Sequence, residues 1–589
     1  MTRASRKGAA LALCLALAGC HAAAPPPPPR TVAAAPRVPP PPPPLPAVTL
    51  RPADAVRDRA LLIARQAPLD RIDAAAAPLA ARVGAAWDLS GWLLGDLSRA
   101  ATQAAVPGAV WARADRRRGA VAVALVSGFK LTACAAIPFP DDASARTALE
   151  AVGPEASRHE GVSTRTLPDG SKVWAAWGSS VLFLSGQEGG IESAGALALE
   201  EMARVSADAA APAVWVELRP QAFGPGLPAL LKLGIAAALR DGQDKKAKAG
   251  GPPEKTAAGR EMATAMADGV GQVSAVRATL QIDPALGLAV HVTVVPLAGG
   301  VLAATLVGAA PYAIDPRLPV SEPSTALAAF GTKGPVLDGM SWVAEHGGPA
   351  GRGFGVALAA LRAQTRGAVS CAMRLHTPLD VGCVWGLAGG VRAARILDLY
   401  AGFLRSSSAW NVAMSGAAVP PPRVERRGAV VEIEERLAAD PRLASETRRQ
   451  LLGGDTRRTA ATVSGGALVT AQGPQPRALL AALTGAPAAV PPALLAAALQ
   501  RTAGAHAFLF LDLPSAVVKV TDGSADPSLR QVHRMLLAVP GVSELRAPLI
   551  LALRADGALD LEIALQAESL ENIGRVLRPF MGVMGAAPR

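Results

Sequence analysis

Apolar residues recur with a period of two in "VAVALVSGFKLTACAAI" (121–137), break at Ser127–Lys130 and resume with the same alternation. Alternation around a short turn predicts a β-hairpin, because successive side chains on a strand point to opposite faces. "AVSCAMRLHTPLDVGCVW" (368–385) repeats the pattern, with His376-Thr377-Pro378-Leu379-Asp380 as the turn. "WGSSVLFLSG" (177–186) and "SGGALVTAQG" (464–473) are Gly-containing turns into strands that exit at glycine. "AVWVELRP" (213–220) and "AFLFLDLP" (507–514) are apolar strands ending in a charge and a proline, with a helix expected next. Two further hairpins are expected in "VSAVRATLQIDPALGLAVHVTV" (273–294) and "VSELRAPLILALRADGALDLEIAL" (542–565), which share Val-Ser-x-hydrophobic-Arg-Ala and align Arg277 with Arg546.

These segments follow one order in both parts of the chain, and the last pair begins 269 residues apart, at 273 and 542. Unequal spacers exclude a solenoid of fixed period and point to an old duplication. "VTLRPADAV" (48–56) is matched to "SWVAEHGGPA" (341–350), where a strand is expected after Ser341, and Cys134 is matched to Cys383. Helices are expected between the strands. Asp54 is placed to cap 55–66, with Val56, Ala60 and Ile63 on one face and Arg57, Asp58 and Arg65 on another. Asp440-Pro441 is an N-cap and N1 pair for 441–452. The expected fold is α+β: two tandem duplicated halves of antiparallel hairpins and sheets, with helices packed on one face. "PYAIDPRLPVSEP" (311–323) breaks all periodicity, so the halves are expected at 47–308 and 324–589, with a linker at 309–323.

The first residues belong to no such pattern. Arg3, Arg6 and Lys7 precede an uncharged run from Ala9 to Ala18, too short to span a bilayer as a permanent helix. Leu17-Ala18-Gly19-Cys20 resembles the bacterial lipobox. That resemblance implies a lipoprotein signal peptide over 1–19 and acylation of Cys20, including by palmitate. His21 is not the aspartate that resembles an inner-membrane retention signal, which favours the outer membrane. Pro25–Pro29 and Pro39–Pro44 flank a short Arg/Ala segment, and such runs form extended polyproline II. At about 3.1 Å per residue, Ala22 to Pro46 reaches on the order of 75 Å, which makes 20–46 a stalk between lipid and folded body. With the strand order behind it, this layout resembles Gram-negative surface and periplasmic lipoproteins with tandem α+β repeats, a class without an assigned activity. The resemblance covers most of the body and brings no catalytic residue with it.

Composition alters this picture little. The formal charge of +12 suits a nucleic-acid binder, but the charges are dispersed, and export removes the chain from nucleic acid. The one Lys-rich run, 244–248, sits in a Gly/Pro-rich stretch that also holds Glu254. Beyond the lipobox only Cys134, Cys371 and Cys383 remain, so this is no disulfide scaffold. Cys371 and Cys383 lie on two strands of one hairpin. They suit either a cross-strand bridge in an oxidising periplasm or two small buried hydrophobes.

The chemistry-bearing patterns are each better read as structure. Ser127-Gly128-Phe129-Lys130 spells S-x-x-K, but that nucleophile motif needs serine and lysine one helical turn apart, and here the four residues form a hairpin turn. Gly339-Met340-Ser341 lacks the closing glycine of a nucleophile elbow, and His346-Gly347-Gly348 reads as a Gly-rich exit from a strand. The histidines show no metal-ligand spacing. Gly224-Pro225-Gly226 reads as a capped helix start and Gly351–Gly355 as a flexible loop. Glu432 and Glu434 read as the solvated face of a strand. No catalytic residue, cofactor or metal is expected, and Cys20 is the one candidate site. The expected role is a non-enzymatic binding or scaffold lipoprotein of the envelope, attached to the membrane through its lipid and meeting an envelope protein. Two alternatives stand beside it: a carrier of lipid or another apolar ligand in a groove between curved sheets and helices, and a hydrolase whose site is assembled from distant residues.

Overall fold

The computed structural model describes residues 48–585. It leaves aside 84–88, 227–263 (apart from 229, 232–234 and 261), 321–324, 416–419, 437–453, 486–490, 523–526 and positions 105, 129, 377 and 543. The lipobox, the stalk, the Lys-rich run and the helix expected over 441–452 lie outside the described residues.

The chain folds as two units. The first holds the described residues up to Gly224 together with Ala278–Pro284 and 580–585. Its elements are β1 (Ala60–Gln66), α1 (Leu69–Val83), α2 (Leu89–Thr102), β2 (Ala120–Ser127), β3 (Lys130–Pro138), α3 (Asp142–Val152), β4 (Glu155–His159), β5 (Val162–Thr166), β6 (Lys172–Gly178), β7 (Val181–Ser185), α4 (Gly190–Ala207) and β8 (Val214–Leu218). The strands pair antiparallel in the order β8-β1-β2-β3-β7-β6-β5-β4.

Helices cover both faces of this sheet, not one as expected. Val121, Val123 and Leu125 of β2 pack with Ile191 and Leu197 of α4. Ala120 and Ala122, on the opposite face, pack with Leu94 and Leu97 of α2 and Leu149 of α3. A strand buried on both faces carries a continuous apolar run, and its period-two signal fades.

That fading explains the misreading of 55–66, which is no helix. A single turn at Arg57–Arg59 leads into β1, held between β2 and β8. Ile63 belongs to one core and Ala64 to the other, so the run 60–64 has no polar side to betray a strand. Arg57 and Arg65, expected on a polar helix face, instead converge on Glu201 of α4, which is buried. Arg65 also stacks on Trp215, 3.9 Å from the ring centroid.

The second unit comprises Pro225–Arg277 and Ala285–Pro579. β9 (Val273–Asp283) contributes to both units and pairs with β10 (Gly287–Pro296). The elements that follow are α5 (Val301–Leu306), β11 (Thr325–Gly331), α6 (Pro335–Glu345), α7 (Gly348–Arg362), β12 (Thr365–Arg374), β13 (Asp380–Leu387), α8 (Ala393–Ser415), β14 (Arg423–Arg427), β15 (Val430–Arg436), β16 (Thr456–Ser464) and β17 (Ala467–Gln472). The chain continues through α9 (Pro476–Gly485), α10 (Ala493–Arg501), β18 (Ala507–Asp512), α11 (Leu513–Thr521), α12 (Pro527–Leu537), β19 (Pro548–Ala555), β20 (Leu559–Leu565) and α13 (Ala567–Gly585). The antiparallel order is β10-β20-β19-β18-β11-β12-β13-β17-β16-β15-β14. Again both faces are covered. Ala460 and Val469 pack with α9, whereas Ala461 and Leu468 pack with α8.

Three readings in this unit change. Residues 341–350 are not a strand, because Ser341 lies inside α6 and Gly351–Gly355 lie inside α7. Pro335 opens α6, and Leu337 and Ala344 bury a helical face. The glycines of α7 permit close packing: a Cβ on Gly351 would stand 2.5 Å from the Ala344 carbonyl oxygen. Residues 542 and 544–547 do not extend the last hairpin. Ala547 N–H donates to the buried Asp512 carboxylate at 2.7 Å, and the strand begins at Pro548, so Arg277 lies on a strand and Arg546 before one.

Cys371 and Cys383 stand directly opposite each other and form a disulfide, with Cα atoms 4.1 Å apart. Cys134 is not the counterpart of Cys383. Pro138 pairs with the first residue of β7 and Gly386 with the first residue of β17. Three positions back from these lie Ala135 and Cys383. The one-residue difference turns Cys134 to the other face, where it is buried under α4 and its thiol is pushed well above the usual range by desolvation.

The strands β4 and β14, each at one end of its strand order, are short and charged. β4 is exposed along its length and carries Glu155, Arg158 and His159, and β14 carries Arg423, Glu425, Arg426 and Arg427.

Candidate binding cleft

The second unit has a cleft of about 590 Å³. One wall is α5 with the turn behind it, another is the C-terminal part of α7, and the floor is the Thr332-Lys333-Gly334 link from β11 into α6. The floor is tied down strand by strand. Thr332 donates through its N–H and its hydroxyl to Gly367 O, at 2.9 and 3.1 Å. Ala310 N–H donates to Lys333 O at 3.0 Å.

Behind the floor sits His506, 2% exposed. Its Nδ1–H donates to Ala310 O at 2.7 Å, which leaves Nε2 to accept from the first turn of α6, at Val336 N–H, 3.5 Å away. The ring thus caps the helix in place of a side chain at Gly334. That glycine has φ +121°, and a Cβ there would stand 2.7 Å from the His506 ring. Burial pushes the His506 pKa below the ordinary histidine value. The sign of the consequence follows. Above the ordinary value both folded and unfolded chains hold neutral imidazole, and stability from this group is complete. As the pH falls below it, the unfolded chain takes up a proton that the folded chain refuses, and stability declines. Chemical denaturation at stepped pH between 7.5 and 5 is expected to show this decline, with a shallower slope in His506→Asn. Equal slopes would remove His506 from the account.

At the mouth, Arg362 donates from Nε to Thr332 O at 3.0 Å and from Nη1 to Asp338. Thr365 donates its hydroxyl to Arg362 O at 2.8 Å. Lys333 is exposed and has no side-chain partner among the described residues. The hydroxyls are spent on carbonyls and the carboxylate is paired with arginine. The arrangement is suited to hold a ligand rather than to generate a nucleophile.

The residues weighed from sequence lie elsewhere. Ser127 and Lys130 face each other across a hairpin turn at Gly128, φ +61°. His346 Nδ1–H donates to Trp342 O, 2.8 Å away, at the C-terminal end of α6. Glu432 pairs with Arg477 and Glu434 lies 3.8 Å from Arg458. Among the described residues no group of three or more His, Cys, Asp or Glu is placed to hold a metal ion, and no helix is long and apolar enough to cross a membrane. Cys20 lies outside the described residues. Sequence reasoning missed Lys333, Asp338, Arg362 and His506. The one local signal was the Gly334-Pro335 dipeptide, a helix start.

No family model matches the chain, and no curated protein or solved structure is similar enough to it to carry an argument.

Proposed function

We propose that this protein is a lipoprotein of the cell envelope, anchored through Cys20 at the outer membrane, that binds or scaffolds an envelope partner without turning it over. The observation that carries this reading is the cleft: a half-polar, open site whose hydroxyls and carboxylate are already engaged. The packed cores on both faces of each sheet favour it over a carrier, since helix side chains fill the space in which an apolar cargo would lie. The reading makes each unit a copy of one duplicated module. In support, adding ten to each strand number turns β8-β1-β2-β3-β7-β6-β5-β4 into β18-β11-β12-β13-β17-β16-β15-β14, the order found in the second unit.

A photoreactive residue at Ala359, exposed on the cleft wall, is the test. In living cells it is expected to give a discrete envelope adduct that the same probe at Thr147, exposed on α3, does not. No adduct, or the same adducts from both positions, would overturn the binding reading.

A further inference from the structure

We propose that the cleft takes a carboxylate carried on a short apolar stem. The inference rests on the binding reading above and names the chemistry of what is bound.

Two cationic groups reach the cleft. Arg362 is fixed through Nε and Nη1 by Thr332 O and Asp338, so its remaining Nη2 donors, which have no partner among the described residues, are held in one orientation. Lys333, two residues before the first turn of α6, contributes an exposed ammonium without a partner. Asp338 cancels one of these charges, so the site carries a single net positive charge. The N-terminal end of α6, an eleven-residue helix, adds the positive end of its dipole on the same side. One net charge matches a monoanion, and a planar carboxylate fits the edge of a fixed guanidinium. A phosphate dianion would leave a charge uncompensated.

The rest of the lining has different chemistry. Ala304 and Val307 on the α5 side, and Ala359 and Ala363 beside Arg362, present small apolar side chains, and a volume of about 590 Å³ exceeds what a carboxylate alone would fill. A head that is anionic and a stem that is apolar satisfy both parts of the lining. Two sources carry that chemistry: the C-terminus of a partner polypeptide with an apolar last residue, and a free short-chain acid. Because the guanidinium is held before the ligand arrives, little ordering is left to oppose binding.

The test uses the full-length acylated protein in lipid nanodiscs and isothermal titration with four probes. These are acetyl-Ala-Ala-Leu as the free acid and as the amide, and hexanoate and hexanamide. At least one acid is expected to bind with Kd below about 1 mM and its amide at least tenfold more weakly. Tighter binding of the peptide acid identifies a polypeptide C-terminus; tighter binding of hexanoate identifies a free acid. Lys333→Glu is expected to weaken the acid at least tenfold, and Arg146→Glu, a charge reversal at a half-buried position on α3, to leave it unchanged. The proposal falls if acid and amide bind alike, if neither acid binds, or if Lys333→Glu binds as the parent does. A discrete adduct from Ala359 together with any of these results would sink the carboxylate and leave the binding reading standing. Acid binding without the adduct would keep the carboxylate site and remove the envelope partner from the proposed function.

Discussion

Gly287→Ala is expected to destabilise the second unit by about 2–5 kcal/mol, combining the penalty for left-handed backbone with that of overpacking. Gly287 has φ +101°, and a Cβ there would stand 2.1 Å from Leu565 O and 2.7 Å from Ala567 N. Those atoms are backbone, so no side-chain rotation relieves the contact. The position opens β10 where Leu288 pairs with Leu565, and a shift would propagate along the β10–β20 seam. Urea denaturation followed by fluorescence reports on this unit through Trp342, Trp385 and Trp410. Gly557→Ala is the matched comparison: its φ is +67°, but nothing lies within 4 Å of the added Cβ. It is expected to lose only the conformational part, about 1–2 kcal/mol. Equal losses in the two variants would mean that the close approach at Gly287 contributes nothing.

Cys20→Ala is expected to abolish incorporation of radiolabelled palmitate. The thiol of residue 20 is the acyl acceptor in the lipobox reading, and alanine offers no nucleophile in its place. Lipid-modified protein gains about 0.8 kcal/mol per buried methylene, and with two or three chains it stays with the membrane. Without acylation the peptidase has no substrate, so the variant should migrate as the longer precursor, still carrying its Ala9–Ala18 segment. Replacing residues 1–20 with a cleavable secretory peptide removes that second attachment and is expected to deliver the folded body to the soluble periplasmic fraction. Palmitate label in Cys20→Ala equal to that in the parent would end the anchor reading.

Local pattern revealed several strands and hairpins well. The Ser127–Lys130 turn, the strands exiting at Gly186 and Gly473, and the Cys371–Cys383 hairpin all follow from alternation and turn residues. It failed where tertiary burial erased polarity on one side. β1 lies between two strands and under helices on both faces, so its run of apolar residues carried no period. It failed again at α6 and α7, where glycines chosen for close packing against Ala344 and Trp410 imitate a loop. The cleft was illegible for a different reason. Lys333, Arg362 and His506 are brought together by the return of β12 and β18 to either side of β11, and nothing near any one of them in the chain hints at the others.

The charged ends of the two sheets matter most if chains are tethered by lipid to a common plane. Confinement to a surface raises the encounter rate of like edges far above that of the same number of molecules in bulk water. An open strand is a template for its own copy. β14 answers with Arg423, Arg426 and Arg427 on five residues, so two such edges approaching in register meet cation against cation. That defence is electrostatic and therefore ionic: at 1 M salt the screening length contracts to about 3 Å and the repulsion fades. For chains so tethered, dispersal on the surface would thereby be tied to the salinity of the medium that bathes it.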